Sequence, residues 1–191
     1  MKVSADKLTA RLGDTEGFGS LKNAETRKIL TLLGAFCLFL STIEFVIPKP
    51  MPFMRIGIAN LPLMMALDIL PFPTFLVLVL IKVLGQGIIT GTLFSHIFLF
   101  SLAGTAAAAF SMYALRRVFG QKVSFIGVGA TGAMFSTTTQ MALAWFFLLG
   151  NAARFIAPFF FAAGLVTGIT LGVFCQMFSS RSLWYVARKV R

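Results

Sequence analysis

Residues 74–94 read TFLVLVLIKVLGQGIITGTLF, an apolar run with a single charged side chain, Lys82. A run of this length and composition is typical of a transmembrane helix, because about 20 apolar residues cross the hydrocarbon core of a bilayer. Lys82 lies well inside the run, at a depth of roughly 12 Å for a helical rise of 1.5 Å per residue. The run therefore predicts a membrane helix that carries an ionisable group below the membrane surface.

Five other apolar runs accompany this one, and we expect each to be a membrane segment. They are residues 29–47, 56–70, 97–115, 124–149 and 155–178, of which 56–70 is short. Hydrophobic residues form 58% of the 191-residue chain and the mean hydropathy is +0.88, whereas soluble domains have about 45–50% apolar residues. The sequence predicts an all-α, multi-pass integral protein of the cell (inner or cytoplasmic) membrane, with six transmembrane helices.

The positive charge is concentrated on one side of these runs. Most of the 17 Lys and Arg residues lie before the first run, between the fourth and fifth runs, or after the last. By the positive-inside rule both termini are then cytoplasmic. We expect a polar cytoplasmic head (1–27), a six-helix membrane domain (28–178) and a basic cytoplasmic tail (179–191). The net charge of +11 follows from this topology, so no nucleic-acid partner is expected, and the bilayer itself is the first partner.

The sequence contains few residues that could catalyse a reaction or bind a metal ion. The chain has six carboxylates, two cysteines and one histidine. Cys37 and Cys175 both fall inside apolar runs, and there is no Cys/His cluster with metal-ligand spacing. We expect no metal, no cofactor, no catalytic residues and no enzymatic activity.

Ionisable side chains near or inside the runs are candidates for function, because such groups usually face a bundle interior or a wet cavity. They are Glu44, Asp68, Lys82 and Arg154. Lys82 can extend toward the cytoplasmic side, where Asp68 also lies, so a structural ion pair between them is the favoured interpretation. A ligand contact for Lys82 is the alternative. Arg154 begins the last run on the external side, either as an interfacial anchor or as a ligand contact.

Uncharged polar and small residues give two further predictions. Three amide residues, Asn60, Gln86 and Gln140, lie inside apolar runs. A buried amide needs a polar partner, because burying it without a hydrogen bond is unfavourable. Gly164, Gly168 and Gly172 recur every four residues and form one small-residue face of a helix, which is typical of close helix packing in lipid.

Six ordered strings resemble one known family. They are E44-x3-P48, RIGIANLP (55–62), KVLGQGIITG (82–91), FSLAGTAAAAFSM (100–112), GVGATGAMFSTTTQ (127–140) and PFFFAAGLVTGITLG (158–172). In this order they resemble the Gx transporter family, which is also labelled heptaprenyl diphosphate synthase component I. That family is grouped with the substrate-binding S components of energy-coupling-factor transporters.

The resemblance implies a fold, a function and partners. It implies an S-component-like bundle that binds a small molecule, such as a vitamin or cofactor precursor, from the external side. A transmembrane coupling subunit and ATPase subunits would then be partners. The expected substrate-binding residues are Arg55, Asn60, Gln86, Gln140 and, from its external position alone, Arg154. Two alternatives stay open: a noncatalytic membrane component of isoprenoid-quinone synthesis or of a redox system, and an autonomous channel or transporter.

Overall fold

The computed structural model describes residues 3–47 and 57–182, and it is helical with no strand among them. The prediction of an all-helical chain is confirmed for these residues. The α-helices are α1 (Val3–Val46), α2 (Leu61–Ala66), α3 (Phe72–Ile89), α4 (His96–Phe119), α5 (Phe125–Ala144) and α6 (Ala153–Arg181). Helix α1 begins at Val3, so the described part of the expected polar head is helical.

The chain divides into two compact units, Met1–Leu32 and Leu33–Arg191. The first unit contains the N-terminal part of α1. The second contains the rest of α1 and all the other helices, and every contact described below lies within it.

Four stretches of the described chain are long and apolar enough to cross a membrane. They are Ala24–Val46, Phe72–Ile89, His96–Phe119 and Phe125–Arg181. Large apolar side chains on them point away from the protein, including Leu80, Val166 and Phe155. Lipid solvates such surfaces and water does not, so the chain has the character of a membrane protein. Six transmembrane helices and the cytoplasmic position of the termini stay predictions.

The last stretch, Phe125–Arg181, is 57 residues long but folds back on itself. Helix α5 ends in a π-helical turn (Trp145–Leu149) and a 3-10 turn (Gly150–Ala152), with Gly150 at a φ of 48°. That positive φ suits glycine, which has no Cβ to clash. Helix α6 then runs antiparallel to α5, because Phe125 lies beside Gly172 and Thr137 lies beside Gly164.

Glycines let α5 and α6 approach until their backbones touch. A Cβ added at Gly168 would lie 2.7 Å from the carbonyl oxygen of Gly129, and one at Gly172 would lie 2.7 Å from that of Phe125. A Cβ at Gly164 would overlap the hydroxyl of Thr137. The three glycines of α6 therefore occupy the interface with α5, the position in which small residues favour helix association in lipid.

Of the run 56–70, the described residues 57–70 form a short, mostly buried segment. A 3-10 turn (Ile58–Asn60) leads into α2, whose six residues are all buried. At 1.5 Å per residue α2 is only about 9 Å long, far less than the roughly 30 Å of a hydrocarbon core. Such short or irregular backbone is tolerated at membrane depth when protein surrounds it, and α2 contacts α3, α5 and α6.

Candidate functional site

Glu44, near the end of α1, holds the start of the short segment in place. Its side chain is 2% exposed. One carboxylate oxygen accepts a hydrogen bond from the backbone N–H of Gly57 at 3.1 Å, and the other accepts from the N–H of Ala59 at 3.3 Å. Backbone N–H groups that precede a helix lack partners of their own, so this carboxylate satisfies two of them. The contact also fixes Asn60, one residue further along.

Lys82 is the buried cation of the same region. It is 3% exposed and lies in the middle of α3. Its ammonium group donates a hydrogen bond to Oδ1 of Asn60 and another, at 3.1 Å, to the hydroxyl of Thr105 on α4. Neutral oxygen acceptors thus satisfy part of its hydrogen-bonding capacity, as a buried ammonium group requires.

The two buried glutamines belong to different helices, α3 and α5, and both lie beside α4. Gln86 lies one turn after Lys82, and its Oε1 accepts a long hydrogen bond, 3.4 Å, from Ser101. Gln140 lies near the end of α5, and its Nε2 donates to Ser136 at 2.9 Å. Gly104 of α4 leaves the room that Gln140 uses, because a Cβ there would lie 2.8 Å from Nε2 of Gln140.

These side chains line one cavity inside the helix bundle. Its unfilled space is about 270 Å³, of which about 20 Å³ can hold the centre of a water molecule. Its walls are Glu44, Gly57, Asn60, Lys82, Gln86, Ser101, Thr105, Ser136 and Gln140. Apart from Gly57, every one of these residues has a polar side chain. We call this space the polar cavity.

A second space borders the polar cavity and is lined by residues of α2, α4, α5 and α6. It has about 380 Å³ of unfilled space and shares Gly57, Asn60 and Ser136 with the polar cavity. The rest of its lining is mostly small or apolar: Met64, Met112, Gly129, Gly132, Ala133, Thr137, Gly164, Thr167, Gly168 and Leu171. We call it the glycine cleft. A polar chamber beside an apolar cleft suits a small molecule with one polar and one apolar part.

Asp68 belongs to a different cluster, near the other ends of the helices. Its carboxylate pairs with the guanidinium of Arg116 through two hydrogen bonds, Nε to Oδ1 at 2.7 Å and Nη2 to Oδ2 at 2.6 Å. Arg116 also donates to the carbonyl oxygen of Val123 at 2.6 Å and lies 4.7 Å from the ring centroid of Phe125. The hydrogen bonds described here lead from Asp68 to Arg116 and from Lys82 to Asn60 and Thr105, and the ion pair between Asp68 and Lys82 stays a prediction. Arg116 offers a two-pronged partner that matches a carboxylate better than an ammonium does.

Arg154 lies apart from both cavities. It borders an open groove of about 760 Å³ beside the junction of α5 and α6. Trp145, Met141, Ala157 and Phe161 also line that groove. Arg55 lies outside the described residues. Of the five expected substrate-binding residues, the structure therefore brings Asn60, Gln86 and Gln140 together and places Arg154 elsewhere.

Three hydroxyl residues of the polar cavity were not among the predicted site residues. Ser101 and Thr105 are four residues apart and so share one face of α4. That spacing is a signal, but isolated hydroxyls are common in membrane helices, where they bond to their own backbone. Ser136 lies in the polar string of α5, whose neighbours Thr138 and Thr139 do bond to their own helix. Only the packing of α4 against α3 and α5 distinguishes the cavity hydroxyls from these.

Comparison with known families decides the relationship of the chain. The family model described as heptaprenyl diphosphate synthase component I matches residues 33–178, more than half of the chain. The chain belongs to this family. No curated protein and no solved structure matches it. The match to the heptaprenyl diphosphate synthase component I family includes every residue that lines the polar cavity and the glycine cleft.

Proposed function

We propose that this member of the heptaprenyl diphosphate synthase component I family is the membrane-embedded substrate-binding component of an energy-coupling-factor-type uptake transporter. Its substrate would be a small molecule such as a vitamin or cofactor precursor. The observation that carries the proposal is the polar cavity. Removing so many polar side chains from water is unfavourable unless they are paired, and a ligand site is the usual reason for such a group of residues inside a membrane bundle.

The position of the cavity within the helices supports uptake from outside. Glu44 lies near the end of α1, Gln86 near the end of α3 and Gln140 near the end of α5, whereas Ser101 lies near the start of α4. With six membrane segments and cytoplasmic termini, all of these helix ends belong to the external side. The polar cavity would then lie a few residues below the external surface, within reach of an extracellular ligand.

Other subunits would supply the energy for transport. The chain contains no phosphate-binding loop of the GxxxxGK[ST] type, so hydrolysis of a nucleotide would take place elsewhere. We propose a transmembrane coupling subunit and ATPase subunits as partners, and we propose that the chain itself is not an enzyme.

Co-purification tests this proposal directly. The full chain, tagged at one terminus and extracted from its native membrane in a mild detergent, is expected to bring with it a coupling subunit and ATPase subunits. Mass spectrometry would identify them. Recovery of the chain alone, under conditions that preserve a known transporter of this class from the same membrane, would contradict the proposal.

Variants of the polar cavity give a second test. Asn60→Ala and Gln140→Ala each remove an amide from the cavity, and we expect at least a tenfold loss of uptake of the ligand that co-purifies with the chain, since a lost buried hydrogen bond is worth about one order of magnitude. Thr170→Ala is the matched control, because Thr170 is exposed and its hydroxyl bonds to the carbonyl of Val166 in its own helix. Normal uptake by both cavity variants would contradict the assignment of the polar cavity as the substrate site.

The description of the family favours a second candidate function. A noncatalytic membrane component could hold a soluble prenyl synthase at the membrane, for isoprenoid-quinone synthesis or a membrane redox system. The same co-purification discriminates the two candidates, because this one predicts a soluble prenyl synthase, with no ATPase, in the purified complex.

A further inference from the structure

The turn between α5 and α6 carries exposed aromatic side chains. Trp145 is 60% exposed, and Phe146 and Phe155 are each 84% exposed. All three lie in or beside the π-helical turn (Trp145–Leu149) and the 3-10 turn (Gly150–Ala152) that join the two helices. Aromatic residues are enriched where a bilayer meets water, and π-helical turns are rare and often lie at functional sites. We therefore expect this turn to contact lipid at one surface of the membrane.

The groove beside Arg154, which we call the Arg154 groove, is built from regular faces of both helices. On α5 and its π-helical end the lining residues are Thr138, Met141, Ala142 and Trp145, and on α6 they include Ala153, Ala157 and Phe161. Residues three or four apart share one face of a helix, so the groove follows the two helices. Between Arg154 and Phe161 the α6 wall is about 10 Å long at a rise of 1.5 Å per residue. An extended acyl chain beside a membrane helix has the same direction.

Arg154 gives the groove a positive charge at one end. Its side chain is exposed, and no hydrogen bond or ion pair joins it to another residue that the structure describes. The described cations Arg116, Arg117, Lys122 and Arg181 lie where α4 ends, α5 begins and α6 ends. The positive-inside rule explains such a cluster on one side of a membrane, but it does not explain Arg154 at the opposite end of the α5–α6 pair.

The chemistry of the groove favours an occupant with two parts. A guanidinium presents a planar fork of N–H donors that matches the oxygens of a phosphate. The walls formed by Met141, Ala157 and Phe161 are apolar, and an acyl chain covers such a surface more favourably than water does. A soluble anion would pair with Arg154 but leave these walls uncovered, whereas an uncharged hydrocarbon would cover the walls but leave Arg154 without a partner. An anionic phospholipid does both.

We propose that the Arg154 groove binds an anionic phospholipid. The phosphate accepts hydrogen bonds from the guanidinium of Arg154, and one acyl chain lies along Met141, Ala157 and Phe161. A zwitterionic phospholipid fits the same walls but binds more weakly, because its headgroup carries a cation next to the phosphate. This inference goes beyond the proposed function and is independent of it, since the Arg154 groove shares no described lining residue with the polar cavity.

Trp145 can report on the occupant, because it lines the Arg154 groove. The chain contains two tryptophans, Trp145 and Trp184, so Trp184→Phe leaves Trp145 as the only one. Bromine atoms on an acyl chain quench tryptophan fluorescence on contact. The full chain would be placed in nanodiscs of equal parts phosphatidylglycerol, which is anionic, and phosphatidylcholine, which is zwitterionic, with one of the two brominated at a time. We expect phosphatidylglycerol to be preferred at Trp145 by about two- to fivefold, which corresponds to the strength of one exposed ion pair.

Two charge variants in the Trp184→Phe background assign the preference to its cause. Arg154→Gln removes the guanidinium and is expected to abolish the preference. Arg117→Gln is the matched control, because Arg117 is also exposed but lies in the last turn of α4, and it is expected to keep the preference. If Arg154→Gln fails to fold, added salt decides on the chain that retains Arg154, since salt screens exposed charges and should weaken the preference.

A second reporter separates the groove from the rest of the lipid-facing surface. Val166 is 63% exposed on α6 and is not among the described residues that line the groove. Val166→Trp, combined with Trp145→Phe and Trp184→Phe, places the only tryptophan at that position. We expect brominated phosphatidylglycerol and brominated phosphatidylcholine to quench it equally.

Equal quenching of Trp145 by the two lipids, stronger quenching by phosphatidylcholine, or no quenching by either would each overturn the inference. A preference that persists in Arg154→Gln or in high salt, or that is equally large at Val166→Trp, would also overturn it. Failure of the transporter proposal would look different. In that case no coupling or ATPase subunit co-purifies, while the preference for phosphatidylglycerol at Trp145 is unaffected.

Discussion

Among the residues that the structure describes, the buried cations Arg116 and Lys82 donate to different kinds of acceptor. Arg116 forms a two-pronged pair with the carboxylate of Asp68, whereas the ammonium of Lys82 donates to the neutral oxygens of Asn60 and Thr105. The Arg116 cluster also ties α4 to the start of α5 through the carbonyl oxygen of Val123. We infer a mainly structural role for Arg116, while Lys82 orients an amide of the polar cavity.

Removal of one partner of the Arg116 pair should destabilise the protein strongly. Arg116→Met leaves the buried carboxylate of Asp68 without its guanidinium, and we expect a loss of about 3–5 kcal/mol of unfolding free energy. Reversible unfolding in mixed micelles would measure it. The double variant Asp68→Leu with Arg116→Met should recover most of the loss, because it buries neither charge. Equal losses in the single and double variants would contradict this account.

At the level of helices, the close contact between α5 and α6 requires that glycines of α6 carry no Cβ atom. A methyl group at Gly168 would approach both the carbonyl of Gly129 and the side chain of Ala133. We therefore expect Gly168→Ala to cost about 1–3 kcal/mol through overpacking, measured by the same unfolding experiment. Thr170→Ala, two residues away on the exposed face, serves as the control and should change stability by less than about 0.5 kcal/mol. Wild-type stability for Gly168→Ala would exclude backbone contact at this position.

Hydropathy alone predicts the long helices well. Helix α3, Phe72–Ile89, corresponds to the run 74–94, and α4, His96–Phe119, corresponds to 97–115. The bilayer requires long apolar helices, so their existence follows from composition. The run 56–70 is a harder case, because its six-residue helix is stabilised by burial against three other helices. Burial of this kind depends on contacts with distant parts of the chain, so the local sequence does not predict it.

The candidate site is less predictable than the helices, for a related reason. Asn60, Gln86 and Gln140 attract attention because amides are unusual inside apolar runs, and the structure does bring them to one cavity. Which charged groups pair is a different matter. Asp68 meets Arg116 across 48 positions of sequence, and spacing along a helix carries no information about contacts between helices. Arg154, predicted from its external position, lies in a separate groove.

Across the whole molecule, the arrangement of the helices in a bilayer is open to a labelling experiment. With six membrane segments, the turn between α3 and α4 is external and the turn between α4 and α5 is cytoplasmic. Phe94→Cys in the first turn and Lys122→Cys in the second both place a thiol at an exposed position. The natural cysteines, Cys37 and Cys175, are buried.

We expect an impermeant maleimide to label Phe94→Cys in intact cells. It should label Lys122→Cys only after the membrane is opened, because the positive-inside rule places Lys122 on the cytoplasmic side. The unmodified chain serves as the control for background labelling. Labelling of Lys122→Cys in intact cells would reverse the orientation and remove the support for uptake from outside.

The narrowness of the polar cavity has a kinetic consequence. Since only about 20 Å³ of it can hold the centre of a water molecule, a ligand of ordinary size can enter only after the helices separate. Its observed association rate constant should then rise with ligand concentration to a plateau that equals the first-order rate constant of opening. Release would be limited by the same opening, so even a weakly held ligand would leave slowly.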